Sequence, residues 1–198
     1  MFRDLLASEF QPYGVLSAEQ LTALEEHYRL LVRWNQRMNL TRIEDEETAV
    51  RLHYCESLFL GAWLPPGPLS VADVGSGAGF PGIPIAIIRP DLFVCLLESH
   101  QRKAAFLREA TSHLSNTRVV PMRAEEVKER FDWVVSRAVA PQEVIAARLA
   151  PNHALLLGYP DAVAEVVKLP WGKQRVLSVS RETHQEKMFH VKPQCDTI

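Results

Sequence analysis

Cysteine is scarce, and the few present do not cluster. Cys55, Cys95 and Cys195 are odd in number and far apart, with no CxxC and no Cys/His grouping. That spacing excludes a disulfide framework and a zinc site, no metal is expected, and a reducing compartment follows. No apolar run approaches the roughly 18 residues that a membrane span requires. The start, Met1-Phe2-Arg3-Asp4-Leu5-Leu6, carries charge too early and too short an apolar run for a secretory signal. A cytoplasmic location with no membrane partner is therefore expected. Charge of one sign is also lacking: 22 Lys and Arg face 24 Asp and Glu, a net of −2. Bulk electrostatics thus announce no nucleic acid, although a local basic patch is compatible with a neutral total. Repeats and low-complexity tracts are absent. What remains is an ordinary globular composition, 47% hydrophobic over 198 residues. That length suits one large domain, or a domain with a small appendage.

The chain divides at Pro65-Pro66-Gly67-Pro68, because each residue before a proline is driven out of helical geometry. Residues 1–64 read as a helical extension and 65–198 as the main domain. In the extension, Ser17-Ala18-Glu19-Gln20 fits a capping box. Behind it Leu21, Leu24, Tyr28, Leu31 and Val32 recur at helical spacing, so that face seeks a core. A second helix is expected to start in Asp45-Glu46-Glu47, where negative charge suits a helix N-terminus, and to run to about Trp63. Beyond the prolines, short apolar runs fall at 69–74, 92–97, 118–122, 133–136 and 154–157. Helix-like segments separate most of them, clearest at 101–114. Such alternation predicts an α/β fold with a mostly parallel sheet covered on both faces. Two further runs, 175–179 and 188–191, have only a polar loop between them, so they are expected to form a terminal antiparallel pair.

Asp73-Val74-Gly75-Ser76-Gly77-Ala78-Gly79-Phe80-Pro81-Gly82 follows the first core strand and opens a helix near Pro81. Glycines there allow a sharp turn and a ligand's close approach, at the strand end where open α/β sheets bind ligands. Two frames overlap. Gly77 to Gly82 satisfies the dinucleotide pattern G-x-G-x-x-G, which is weak alone. Asp73 to Gly79 gives acidic-x-Gly-x-Gly-x-Gly, similar to the first motif of class I S-adenosylmethionine-dependent methyltransferases. A carboxylate at Asp73 opposes a diphosphate and suits a ligand carrying ammonium and sulfonium groups. On this reading Asp73, Gly75, Ser76, Gly77 and Gly79 cradle S-adenosylmethionine, and Glu98, ending the second strand, accepts from ribose hydroxyls. A nicotinamide-dependent oxidoreductase is the rival, and a tight turn holding no ligand is the plain structural alternative.

More of the chain joins the pattern: Trp34-Asn35, Met38-Asn39-Leu40-Thr41, His53 with Glu56-Ser57-Leu58, the glycine stretch through Ile83-Pro84, Arg89-Pro90, Lys103 with Phe106-Leu107, Arg123-Ala124-Glu125-Glu126, and Val135-Ser136-Arg137-Ala138-Val139. Together, over residues 28–140, these resemble the RsmG (GidB) family, bacterial enzymes that methylate a guanine N7 of small-subunit (16S) ribosomal RNA. The resemblance implies a Rossmann-like class I methyltransferase sheet with a helical extension, and small-subunit rRNA or the 30S particle as partner. It implies cofactor contacts at Gly75, Phe80, Glu98, Ser99, Ala124, Glu125 and Arg137. Two departures stand out. The family usually has Asp where this chain has Glu56, and Lys-Gly after strand five where this chain reads Leu156-Leu157-Gly158-Tyr159-Pro160. A cofactor-binding paralogue without rRNA activity is the alternative these departures raise.

Guanine N7 carries a free lone pair, so alignment rather than a general base is required, and proximity alone supplies up to ~7–11 kcal/mol. No acid/base pair is expected. Asn39, His53 and Arg137 are the candidates for the substrate side. Each has a structural alternative: Asn39 as a turn residue, His53 paired with Glu56 three residues on, and Arg137 paired with Asp73 or Glu56. Lys103 and Arg108 read as a solvated helix face, with Arg102-Lys103 near the site mouth.

Overall fold

A computed structural model describes residues 1–42, 45–159 and 165–181. Helix α1 spans Phe2–Phe10 and α2 spans Ala18–Asn35. The expected capping box is formed: the Gln20 amide donates to Ser17 Oγ at 3.2 Å, and the Ser17 amide donates to Gln20 Oε1 at 2.9 Å. Asp45 caps the next helix by accepting from the Thr48 amide at 2.7 Å. That helix is three pieces in series: α3 at Glu46–Thr48, a π-helical segment at Ala49–Cys55, and α4 at Glu56–Trp63. The wide π turn was not foreseen; such turns frequently sit at functional sites.

The remaining elements are β1 (Ser70–Val74), α5 (Gly82–Ile88), β2 (Phe93–Leu97), α6 (Gln101–Ala110), β3 (Thr117–Val120), β4 (Trp133–Arg137), α7 (Pro141–Ala146), β5 (Asn152–Leu157), β6 (Glu165–Lys168) and β7 (Val176–Ser180). They build one sheet in the order β3-β2-β1-β4-β5-β7-β6. The first five strands run parallel, and β7 lies antiparallel to both β5 and β6. The strand expected at 175–179 is therefore present and antiparallel, but its partners are β5 and β6. The expected partner at 188–191 lies outside the described residues. Strand β6 escaped the sequence reading because Glu165-Val166-Val167-Lys168 is short and largely exposed, without an apolar face.

The period of two along each strand divides the core. Val71, Val94, Leu96, Val135 and Leu156 point to one face, where Leu6, Leu24, Tyr54, Leu58, Ile83 and Phe106 from the helices join them. Ala72, Val74, Cys95, Leu97 and Leu155 point to the other, against Val144 of α7. The helices before the prolines thus bury their apolar sides in the same core as the sheet. In α2 the buried positions are Leu24, His27 and Leu31, while Val32 is exposed. The helix is rolled slightly from the expected face, and a histidine comes inward.

Candidate active site

The turn after β1 is shaped by steric necessity. Gly75 has φ +70°, and a Cβ there would stand 2.6 Å from Val139 Cγ2. Gly82, opening α5, is packed so closely that a Cβ would lie 2.3 Å from Leu96 Cδ2. The amides of Gly75 and Ser76 both donate to the Leu97 carbonyl, at 3.0 and 3.1 Å, so the turn is stitched to the end of β2. Glu98 completes the stitching: its carboxylate accepts from the Gly77 amide at 3.0 Å and from the His100 amide at 2.8 Å.

Between the ends of β1, β2 and β3 this leaves a cleft of about 150 Å³. Of the expected cofactor residues, Gly75, Glu98, Ser99, Ala124 and Glu125 line it. Met122, Val139 and Glu143 line it as well; none was anticipated, because each is placed there only by strand order. Asp73, Ser76, Gly77, Gly79 and Phe80 are not among the residues that line it. Asp73 is fully buried, and one of its oxygens accepts from the Gly82 amide at 3.0 Å while Oδ1 has no partner. Burial pushes its carboxyl up to about 7, against the opposing pull of the adjacent Ser76 hydroxyl and of the Gly82 amide.

A polar cluster sits on the far side of Phe80. His53 stacks on the Phe80 ring, centroids 4.6 Å apart at 12°. Its Nδ1 meets the Arg137 guanidinium and its Nε2 meets Thr41 Oγ1 at 2.8 Å. A guanidinium only donates, so Nδ1 must accept; the proton sits on Nε2 and the ring is neutral. Burial, reinforced by the positive charge of Arg137, lowers His53 to about 2. Glu56, wholly buried, binds Arg175 twice, at 2.7 and 2.6 Å, and lies 3.9 Å from Arg137. Burial lowers Arg137 to about 10, partly offset by Glu56.

Two expectations are corrected here. Arg137, expected as a cofactor contact, does not line the cleft; its side chain, 13% exposed, is held by His53 and Glu56. His53 and Glu56 do not pair with each other, since each finds a better-placed partner across the fold. Asn39 is exposed beside this cluster, and its loop is shaped by Asn35, whose Oδ1 accepts from the Leu40 and Thr41 amides at 2.8 and 3.0 Å. Lys103 is half-buried and Arg108 exposed on α6.

His27, unremarked in the sequence, ties the helices to the turn. Its Nε2 donates to the Ala78 carbonyl at 3.0 Å, and its Nδ1 accepts from the Tyr54 hydroxyl at 2.9 Å. Burial lowers it to about 4, so it stays neutral at physiological pH. The only signal available was a histidine one position off the apolar face of α2.

Glu98 beside a glycine-rich turn, facing the Ala124-Glu125 bend, suits a nucleoside cofactor. The fold agrees. A SAM-dependent methyltransferase from Aquifex aeolicus superposes with a TM-score of 0.52 at 16% identity, covering 67% of this chain and 91% of that one. Parallel strands with an antiparallel seventh and a glycine turn after the first give the fold of class I S-adenosylmethionine-dependent methyltransferases. The family model GidB, rRNA small subunit methyltransferase G, matches residues 20–156. Ribosomal RNA small subunit methyltransferase G of Halorhodospira halophila (strain DSM 244 / SL1) is 40% identical over 188 residues, 90% of this chain and 89% of that one. Its counterpart in Xanthomonas campestris pv. campestris (strain 8004) is 44% identical over 168 residues, 79% and 77% of the two chains. The chain belongs to the GidB family.

Proposed function

We propose that this enzyme uses S-adenosylmethionine to methylate a guanine N7 of small-subunit ribosomal RNA. The observation that carries this is the cleft at Gly75, Glu98, Ala124 and Glu125, in a chain whose family match runs from α2 into β5. When bound, the cofactor supplies an electrophilic methyl group. In this reading Glu98 accepts from the ribose hydroxyls, and Ala124 and Glu125 meet the adenine edge. Asp73 and His27 position the turn from behind.

The substrate side is the Asn39-Leu40-Thr41 loop with His53 and Arg137. Neutral His53 braces Phe80 and Thr41, and the Glu56, Arg137 and Arg175 set leaves one net positive charge nearby, favourable to an RNA phosphate. Because N7 presents its own lone pair, these groups have only to orient the base and exclude water. Residues 1–64 act as a helical extension to the methyltransferase domain at 65–198. In this reading the enzyme works in the cytoplasm, alongside the ribosomal RNA it modifies.

Among the described residues no helix is long and apolar enough to cross a membrane, and no group of three His, Cys, Asp or Glu is placed to hold a metal. The test is methyl transfer from labelled S-adenosylmethionine to 30S particles and to naked small-subunit rRNA, mapped at nucleotide resolution. One labelled guanine is expected. Cofactor binding without any labelled nucleotide would reduce the protein to a binding paralogue.

A further inference from the structure

Outside both clusters, the end of α2 and the first turns of α6 enclose a surface groove of about 530 Å³. Arg33, Arg37 and Arg102 line it, with Trp34 and Met38 along its side and Glu109 as the one acid. Glu109 is already engaged: it accepts from Arg33 at 3.0 Å and from Trp34 Nε1 at 3.0 Å. Arg37 and Arg102 are exposed and have no partner among the described residues. Trp34 is fixed by that bond and by edge contact with Phe106 at 5.7 Å, so its ring enters the groove with little conformational freedom left to lose. In a chain of net charge −2 this is a local excess of positive charge around a rigid aromatic.

Its position also matters. Arg37 lies two residues before Asn39, and Arg102 lies four residues after Glu98, so the groove connects the substrate-side loop with the end of β2.

We infer that this groove binds the RNA backbone leading to the target base, with Arg37 and Arg102 on phosphates and Trp34 against an unpaired base. The inference rests on the proposed rRNA substrate and extends it to a second contact region. Guanidinium groups suit phosphates, and an aromatic face accepts any base by stacking. A protein or peptide partner is less well matched, since the groove's free charged groups are both cations and its one acid is already engaged.

The experiment uses the full chain carrying Arg37→Gln and Arg102→Gln together, both surface changes that leave the cofactor cleft untouched. Binding of naked small-subunit rRNA fragments is followed by fluorescence anisotropy over a range of salt. S-adenosylhomocysteine binding and methyl transfer are measured in parallel. Loss of two phosphate contacts is expected to weaken RNA binding by about tenfold or more and to lower the slope of log K against log salt by about 1.4–2, with cofactor affinity unchanged. Unchanged RNA affinity and salt slope would overturn the inference. So would a defect seen only with assembled 30S particles, which would make a ribosomal protein the occupant. If the unsubstituted protein binds RNA through these arginines yet methylates nothing, the groove stands and the proposed reaction falls.

Discussion

Replacing Glu56 by glutamine removes the one negative charge between two guanidinium groups while keeping the shape of the side chain. Glu56 has no exposed surface, Arg175 binds it at 2.7 and 2.6 Å, and Arg137 stands 3.9 Å away. The amide has one acceptor oxygen instead of two and turns N–H groups toward donors. Breaking a buried pair by removing one partner typically costs about 3–5 kcal/mol. Arg175, 22% exposed, can recover some hydration, whereas Arg137, 13% exposed, cannot. The lower end, about 3 kcal/mol, is therefore expected, equivalent to a melting temperature lower by about 6–12 °C in a chain of this size. Urea unfolding of the apo-protein measures it, and a double-mutant cycle with Arg175→Gln isolates the pair. The coupling should exceed about 1 kcal/mol, because the residues touch. A Glu56→Gln protein within about 0.5 kcal/mol of the parent, the range of ordinary surface changes, would refute the reasoning.

Glu98→Ala should weaken S-adenosylhomocysteine binding roughly 10- to 100-fold, the worth of a charge-assisted hydrogen bond of about 1.5–3 kcal/mol, and calorimetry giving an unchanged Kd would contradict it. His27→Phe leaves the Ala78 carbonyl and the Tyr54 hydroxyl without their partner, each omission costing about 1–3 kcal/mol. Both stability and cofactor affinity should fall, and retention of both would dismiss the tether. Burial raises the Asp73 carboxyl to about 7 from 3.8, so between those values the native state holds a proton that the unfolded chain has released. Its contribution to stability is full at low pH and declines as pH rises through that window. The buried histidines act oppositely: lowered from 6.5 to about 4 in His27, they withdraw stability as pH falls below 6.5. Subtracting the Asp73→Asn profile from that of the parent cancels the histidines, and a difference flat from pH 4 to 7 would disprove the assignment.

What the sequence made legible was local. Ser17 and Gln20 announce a capping box because both bonds lie within one turn, and the glycines after Val74 announce a bend because backbone angles there exclude side chains. Glu98 followed from its place at a strand end. What escaped depends on distant pairing. Arg175 reaches Glu56 across 119 positions, and no spacing rule connects them. The same holds for Arg137, whose expected contact with the cofactor ignored His53, brought beside it by the π turn 84 positions earlier. His27 was missed because a buried histidine is legible only when its two partners, Ala78 and Tyr54, are known. Strand β6 carries too little apolar character to stand out from a loop.

The bond from His27 to the Ala78 carbonyl has a thermodynamic corollary. Whatever stiffens that bend also restrains α2, and whatever draws α2 away loosens the bend. If the helices dock RNA as proposed, that docking and occupancy of the nucleoside cleft are reciprocal, and either would change the other's affinity by the same factor. Amide exchange along α2 should slow when S-adenosylhomocysteine is added, although none of its residues lines the cleft that ligand would fill.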